Sequence, residues 1–334
     1  MKKARVVLAS VILFLSVFPL MRGQVTGPPG QPAQSTRAGS LAEFGPTALW
    51  LQLNSVTNDT ASLAIYVPTT ATNSILDLFF TTNLEAHSPW SRVMRCQPGQ
   101  TNPVVTNLPS TQGFFMVSGP IRPGFDQQSL PPNDDSSTGL IPLPFTINFL
   151  SNSESALYVN NNGNVTFDKS LGFYTPGLLS AAPAKIIAPF WADVDTRIPV
   201  QGNTLSDVVK YGTNVVHGHN AFGVDWVNVG YYAYHSDKLL SCQLVIIDRS
   251  DIAAGDFDME FNYDRVEWQW GDVSVGSPPR AGFSDLITDY ELTNSGVSGA
   301  FMDTNTVTGL VYNSLNTPVL GRYLFFFRDG QPLP

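Results

Sequence analysis

From about residue 49 onward, this 334-residue chain repeats short runs of apolar, β-branched and aromatic residues with turn-forming residues between them. SLAIYV (62–67) is one such run, and its residues Leu63, Ile65 and Val67 alternate along it. Alternation of this kind predicts strands with one face turned inward. No long stretch repeats its apolar residues at the helical period of about 3.6, and residues 285–292 could form at most a short helix. The chain is therefore predicted to be all-β.

Breaks in this pattern predict the domain organisation. Residues 46–118 hold closely spaced strands, which predict a small all-β domain. Residues 140–331, with TGLVYN (308–313) among their strands, are predicted to form a larger domain of two packed antiparallel sheets, similar to a β-sandwich. Residues 119–139 are rich in Pro, Asp, Ser and Gly, a composition that predicts a linker. Residues 24–45 are rich in Pro, Gly, Ser and Gln and are predicted to be a flexible leader.

The start of the chain predicts export. Lys2, Lys3 and Arg5 precede an uninterrupted apolar run at 6–20, which is shorter than the roughly 20 residues that span a bilayer. This arrangement is typical of a secretory signal peptide, here residues 1–23, and an uncleaved N-terminal anchor is the alternative. Since no later apolar stretch is long enough to span a bilayer, we expect a mature chain without a membrane span. It would be secreted and act outside the cell or at the cell surface.

Charge and cysteine content exclude several classes of protein. The chain has 18 basic and 27 acidic residues, and losing residues 1–23, which hold four basic residues and no acidic one, changes the net charge from −9 to −13. A chain with this net negative charge repels nucleic acid and anionic lipid. We therefore expect neither of them as a partner. The two cysteines, Cys96 and Cys242, fall in different predicted domains. We therefore expect two separate thiols and no disulfide-stapled scaffold.

Several phrases within residues 140–331 occur in the order typical of one family. These phrases are VNNNGNVTF (159–167), IIAPFWADVDTR (186–197), DWVNVGYY (225–232), CQLVIID (242–248), FNYDRVEWQWGD (261–272), AGFSD (281–285) and GRYLFFFRDG (321–330). Together they resemble the nidogen-like extracellular (NIDO) domain. Any one phrase alone would be weak, but their shared order is specific.

The resemblance implies an all-β fold and adhesion to the extracellular matrix or to cell surfaces. It implies no catalytic residue, because none is established for the family. The structural positions of the family motifs fall on Asn162, Gly163, Phe190, Trp191, Asp193, Asp195, Trp226, Gln243, Trp268, Gly282 and Phe283. Cys242 departs from the pattern, since an aromatic residue commonly precedes Gln243, and the chain has no disulfide-rich companion domain. The smaller predicted domain resembles a β module of secreted bacterial proteins, and we expect a bacterial source.

Asp193 and Asp195 carry the sharpest question about chemistry. Both follow the apolar run IIAPFW, would point the same way from a strand, and are followed by Arg197. The simplest interpretation is a surface-rim cluster in which Arg197 offsets their repulsion. A calcium site at Asp193 and Asp195 is the second, since calcium takes oxygen ligands. A strict strand would place Phe190 on the same face as Ile186 and opposite Trp191.

A catalytic carboxylate pair is the third interpretation. The candidates for it are Asp193, Asp195, Asp258, Glu260 and Glu267. Two further motifs are more simply structural. HGH (217–219) lacks the ligand spacing of a zinc site and predicts a turn or an exposed strand edge. Asn162–Gly163 predicts a hairpin turn, and EWQW (267–270) offers two tryptophans that we expect to be core residues.

These observations favour a secreted adhesion or binding module without catalytic or cofactor-binding residues, apart from a possible calcium ion. Its partner would be an extracellular protein or a glycan. The alternative is a carbohydrate-binding or carbohydrate-hydrolysing secreted protein that uses an acidic pair. No nucleophile elbow, phosphate loop or zinc signature is present in the sequence.

Overall fold

The main regular secondary structure in the described part of the chain is the β-strand, and turns and irregular segments connect the strands. The structure, a computed structural model, describes residues 11–13, 50–57, 60–66, 76–82, 91–96, 100–108, 110, 113–197 and 207–333. Within these ranges the only helical pieces are the single 3-10 turns Leu179–Ala181 and Leu310–Tyr312. The all-β prediction is confirmed. Among the described residues, no helix has the length and apolar character needed to cross a membrane.

One local prediction is wrong, and another segment that could have formed a short helix does not. TGLVYN (308–313) is not a strand, because the Tyr312 N–H donates to the Gly309 carbonyl (3.0 Å) and closes a 3-10 turn. Residues 285–292 form no helix. They complete a hairpin, because the Asp285 N–H donates to the Thr288 carbonyl (3.1 Å) and the chain then returns as a short strand.

The chain divides into two compact units, Leu8–Gly119 and the residues from Pro120 to the end. The strands of the smaller unit are β1 (Val11–Leu13), β2 (Trp50–Thr57), β3 (Thr60–Tyr66), β4 (Leu76–Thr81), β5 (Ser91–Cys96), β6 (Val104–Val105) and β7 (Phe114–Ser118). β1 falls within the predicted signal peptide. The rest of that peptide, the predicted leader at 24–45 and Val67 lie outside the described residues.

The described strands of the smaller unit form two small sheets. Their orders are β1-β7-β4-β5 and β2-β3-β6, with every pairing antiparallel. Leu63 and Ile65 of β3 are buried and alternate with partly exposed neighbours, as predicted. They pack in one cluster with Leu78 and Val117 of the other sheet. Burial of these apolar side chains between the sheets is the main source of stability that the fold offers this unit.

The described residues of the larger unit form fourteen strands in two larger sheets. They are β8 (Gln128–Ser129), β9 (Ile141–Phe149), β10 (Asn152–Asn160), β11 (Asn164–Thr166), β12 (Ile186–Trp191), β13 (Val194–Asp195), β14 (Lys210–Val216), β15 (His219–Tyr231), β16 (His235–Asp248), β17 (Phe257–Val266), β18 (Arg280–Ser284), β19 (Asp289–Glu291), β20 (Arg322–Arg328) and β21 (Gln331–Pro332). The first sheet runs β19-β18-β12-β11-β10-β9, and the second runs β21-β20-β17-β16-β15-β14-β8 with β13 also paired to β15.

The main core lies between these two sheets. Phe149 of β9 and Phe283 of β18 both contact Phe327 of β20, with ring centroids 6.0 and 5.2 Å apart. On β16, Cys242 and Leu244 belong to the same core cluster. Two antiparallel sheets facing each other across a shared apolar layer are the arrangement predicted for this region. Cys96 and Cys242 are separate buried thiols, as expected.

The outer face of the eight-stranded sheet is also covered. Val245 and Ile247 of β16 point away from the main core and pack in a separate cluster with Phe125, which is fully buried. Gly223 of β15 leaves room for that ring, since a Cβ there would lie 2.4 Å from the ring's Cγ. The segment that begins at Pro120 therefore lies against this sheet, although its composition is that of a linker.

Candidate functional site

The approach to the two aspartates is a strand buried on both faces. All six residues of β12 are buried, but their pairing with β18 shifts register between Ala188 and Trp191. This bulge breaks the two-residue alternation. Phe190 therefore faces the main core, whereas Ile186, Ala188 and Trp191 share a smaller cluster on the other side. The prediction that Phe190 shares the face of Ile186 is wrong for this reason.

Asp195 is fully buried, and both of its carboxylate oxygens accept hydrogen bonds. Its Oδ1 accepts hydrogen bonds from the backbone N–H and Nε of Arg197 (2.9 and 3.0 Å), and its Oδ2 accepts from Arg197 Nη2 (2.7 Å) and the Tyr234 N–H (3.1 Å). Burial alone would raise the pKa of Asp195, but these hydrogen bonds outweigh it and lower that pKa. The guanidinium of Arg197 also lies 4.3 Å from the centre of the Tyr234 ring.

Asp193 is nearly as buried but has a different environment. Only 2% of it is exposed, and its Oδ2 accepts a hydrogen bond from the Ser274 hydroxyl (2.7 Å). Burial raises its pKa to about 6, the Ser274 hydrogen bond opposes this rise, and the nearby carboxylates of Asp135 and Asp195 add to it. Arg197 therefore offsets the charge of Asp195, with which it forms an ion pair, more than that of Asp193. The predicted position at a surface rim is wrong for both aspartates, because Asp193 and Asp195 are both buried.

Two acidic residues that sequence reasoning missed lie beside Asp193. One carboxylate oxygen each from Asp134, Asp135 and Asp193 lies within 4.8 Å of the others. Asp134 pairs with Arg197 Nη2 through Oδ2 (3.1 Å), whereas its Oδ1 is buried and has no hydrogen-bond partner in the described structure. Burial is also the main reason why its pKa rises to about 6. The adjacent aspartates of PPNDDSS were the available sequence signal, but nothing local shows that they meet Asp193.

This acidic group offers the oxygen ligands that calcium prefers. Asp195 is not a member of it. The calcium site predicted at Asp193 and Asp195 stays a prediction, and the geometry adds Asp134 and Asp135 as candidate ligands in place of Asp195. Arg197 already balances part of this negative charge, so any cation would compete with an existing ion pair.

The asparagines of NNNGN are buried and organise this corner. Asn161 Nδ2 donates to the carbonyl oxygens of Asp134 (2.5 Å) and Val194 (2.7 Å). Asn162 Oδ1 accepts from the Val194 N–H (3.0 Å), and its Nδ2 donates to Asp135 Oδ1 (2.8 Å). The two amides therefore hold the start of β13 against the Asp134–Asp135 segment. Satisfied buried networks of this kind specify a unique packing.

Gly163 allows the turn to approach β12. Its φ is +73°, and its carbonyl accepts the N–H of Phe190 at 3.1 Å. A Cβ at this position would lie 1.8 Å from the Phe190 carbonyl oxygen. The turn predicted at Asn162–Gly163 is present between β10 and β11. Asn164, which starts a glycosylation acceptor pattern, is fully buried and hydrogen-bonded to Asn160.

The remaining motif residues lie in the framework around this corner. Trp226 donates to the Asn161 carbonyl (3.0 Å), and Trp268 packs edge-on against Phe190 (5.8 Å) and donates to a carbonyl of β15. Gly282 lies where a Cβ would meet the Tyr290 carbonyl oxygen at 2.0 Å, and Phe283 is a core residue. His217 and Gly218 form the turn between β14 and β15, so HGH is a turn.

Gln243 belongs to a buried polar network on the outer face of the eight-stranded sheet. Its Oε1 accepts the N–H of Arg122 (2.9 Å), and its Nε2 donates to Asp225 Oδ1 (2.7 Å). Arg122 also makes a two-point ion pair with Glu260 (2.6 and 2.8 Å). Burial opposes ionisation of Glu260, but Arg122 and Arg322 outweigh it and lower its pKa to about 2.

The other candidate acids, Asp258 and Glu267, also accept hydrogen bonds within the fold. Asp258 accepts from Arg249 Nη1 (2.8 Å) and Arg328 Nη2 (2.6 Å). Glu267 accepts the N–H of Leu239 (2.9 Å). Asp258 and Glu260 lie on the outer face of β17, opposite Met259 and Phe261 of the main core. The candidate acids therefore do not converge on one cleft.

Comparisons with known proteins agree on one family. The family model described as nidogen-like domain matches residues 155–329. Alpha-tectorin of Gallus gallus is 24% identical over 221 residues, which cover 61% of this chain and 10% of that protein. Nidogen of Drosophila melanogaster is 25% identical over 204 residues, which cover 54% of this chain and 15% of that protein. The chain thus spans only a small part of the length of these relatives. No solved structure matches it.

Proposed function

Because this chain belongs to the nidogen-like domain family, we propose that its larger unit is a binding module of the extracellular space that performs no catalysis. The partner would be an extracellular protein or a glycan, which is the kind of partner that adhesion to matrix or cell surfaces requires. Export would depend on the signal peptide predicted at residues 1–23.

One observation supports the non-catalytic part of this proposal. Asp195, Asp258 and Glu260 are each held by at least one arginine in a structural ion pair. A glycoside hydrolase needs one protonated and one ionised carboxyl group that face the same bond of the substrate. Asp258 and Glu260 share the outer face of β17, but each is already paired with its own arginine, and Asp195 lies on β13, so these carboxylates do not meet this requirement.

A hydrolase remains the second candidate because of one group. The pKa of Asp193 rises to about 6 beside Asp134, which is a value suited to an acid catalyst near neutral pH. Asp193 is 98% buried, however, and its Oδ2 accepts the Ser274 hydroxyl, so a substrate has little access to it. Structural interactions also raise pKa values, so the binding module is favoured.

The proposal is tested with the mature full-length chain. The protein would be immobilised and exposed to a panel of extracellular matrix proteins and glycans, and the same polysaccharides would be assayed for cleavage. We expect retention of at least one partner and no release of reducing ends. Turnover that Asp193→Asn abolishes and the exposed control Asp289→Asn keeps would instead identify a hydrolase. Failure to retain any protein or glycan would contradict the proposal.

A further inference from the structure

One end of the larger unit contains an open cleft that the acidic corner does not share. It has a volume of about 230 Å³ and lies between the edge strand β19 and the turns of residues 292–315. Leu292, Leu310 and Leu315 contribute its apolar lining, and Leu292 and Leu310 are buried members of the main core. The apolar part of the cleft is therefore part of a packed layer.

The residues that line the cleft disfavour a charged ligand. None of the residues that line the cleft is an Asp, Glu, Lys, Arg or His. A charged ligand in such a site would lose hydration without gaining a counter-ion, which is costly. A ligand for this cleft would therefore be neutral.

Several polar groups at the cleft have unused hydrogen-bonding capacity. The side chains of Tyr290, Thr293 and Asn294 have no hydrogen-bond partner within the part of the chain that the structure describes. Thr308 and Ser314, in contrast, donate to the carbonyl oxygens of Ala300 (2.7 Å) and Thr317 (2.8 Å). A phenol, a hydroxyl and an amide can each both donate and accept. The free groups thus match a ligand that presents hydroxyls.

The backbone of Asn294 and the ring of Tyr290 are held in fixed positions. Asn294 has a φ of +71°, and its turn is closed by the Ser295 N–H donating to Leu292 (2.9 Å) and the Val297 N–H donating to Asn294 (3.1 Å). The Tyr290 ring stacks on Phe283 with centroids 5.3 Å apart. Because this backbone and this ring are already ordered, binding would not need to order them and would save that part of the conformational entropy cost.

Tyr290 also supplies a flat apolar surface. Phe283 stacks on the ring, Phe325 packs against it with centroids 5.5 Å apart, and 38% of the residue remains exposed. A sugar ring combines an apolar C–H face with hydroxyls around its edge, so it suits a site that pairs an aromatic ring with a few convergent polar groups. A peptide added to the β19 edge would instead use backbone hydrogen bonds and would not need these side chains.

We propose that this cleft binds one neutral sugar residue of an extracellular glycan, with Tyr290 as the platform and Thr293 and Asn294 as hydroxyl partners. This inference rests on the proposed binding function and assigns that function a ligand class and a site. The openness of the cleft to solvent leaves room for the rest of a glycan chain to continue outward.

The test is an array of neutral, sialylated and sulfated oligosaccharides, read out with the mature full-length protein and followed by titration of the hits. Asn294→Gly keeps the left-handed backbone and removes the amide. We expect it to weaken binding of a neutral glycan by about tenfold, the loss of roughly one hydrogen bond. Thr293→Val should act in the same direction. Asn107→Gly is the control, because Asn107 also has a left-handed φ, of +55°, but is exposed and belongs to the smaller unit.

The outcomes separate this inference from the proposed function. Binding of neutral glycans that Asn294→Gly and Thr293→Val leave unchanged would overturn the site. Binding of charged glycans only, or of proteins only, would overturn the ligand class and leave the binding function intact. Binding of nothing would overturn both. Melting curves of each variant establish that a loss of binding is not a loss of fold.

Discussion

At the scale of single residues, the buried carboxylates fall into two groups. Asp195 and Glu260 have arginine partners, and their pKa values are lowered. Asp193 and Asp225 form no ion pair within the described residues, and Asp134 shares Arg197 with Asp195. Burial raises the pKa values of Asp193, Asp134 and Asp225 to about 6, 6 and 7. The first group stabilises the fold at neutral pH, whereas the second group costs stability there.

The raised pKa of Asp193 predicts a pH-dependent effect of Asp193→Asn. Because its folded pKa of about 6 exceeds the ordinary value of 3.8, its stabilising contribution is complete below pH 3.8 and is lost as the pH rises through 6. The amide resembles the protonated acid and can still accept from Ser274. We expect equal stability of variant and wild type near pH 4 and a gain of about 1 to 2 kcal/mol for the variant at pH 8, after allowance for solvent screening.

Urea unfolding of both proteins at pH 4 and pH 8, in the presence of a chelator, measures this difference. Asp289→Asn serves as the control, because Asp289 is exposed. A variant that is less stable than the wild type at pH 8 would contradict the assignment of Asp193 as an unfavourably buried charge.

The same variant tests the predicted calcium site. If calcium binds between Asp193, Asp134 and Asp135, added calcium raises the melting temperature of the wild type at pH 8, because a ligand stabilises the state that binds it. Asp193→Asn should abolish the rise, and Asp289→Asn should keep it. Identical melting curves of the wild type in calcium and in chelator would exclude a site that contributes to stability.

At the scale of elements, the sequence predicts strands well and their irregularities poorly. The alternation of Leu63 and Ile65 follows the backbone geometry directly, so both residues are buried where the pattern puts them. The bulge between Ala188 and Trp191 depends on the partner strand β18, which lies about ninety residues later, and it moves Phe190 to the opposite face. The pairing of Asp195 with Arg197 is local and could be predicted, whereas the approach of Asp134 to Asp193 is not local.

The close approach of the NNNGN turn to β12 makes Gly163 the most sensitive position of that element. In Gly163→Ala, the left-handed φ costs about 1 to 2 kcal/mol and the clash with Phe190 adds about 1 to 3 kcal/mol. Gly276→Ala is the matched control, since Gly276 has a φ of +89° and open space around it. We expect Gly276→Ala to lower stability only by the cost of the left-handed φ, without the cost of a clash. Equal losses in urea unfolding would show that the approach to Phe190 is not under constraint.

At the scale of the whole molecule, the two sheets of the larger unit could be predicted, but the cover over the outer face of one of them could not. Residues 119–139 have the composition of a linker, and isolated residues such as Arg122 and Phe125 carry no periodic signal. Their attachment depends on Glu260 and Ile247, which lie more than a hundred residues away in the sequence. Long-range partners of this kind are invisible to local patterns.

This cover predicts where the larger unit can be cut. A chain that begins at Pro120 keeps the Arg122–Glu260 pair and the burial of Phe125, whereas a chain that begins at Leu140 loses both and exposes Val245 and Ile247. We expect the shorter chain to melt at a lower temperature or to aggregate. Phe125→Ala in the full-length chain should reproduce part of the loss, about 3 to 5 kcal/mol, because the ring is fully buried. Equal melting temperatures of the two truncated chains would mean that residues 120–139 only connect the units, as their composition suggests.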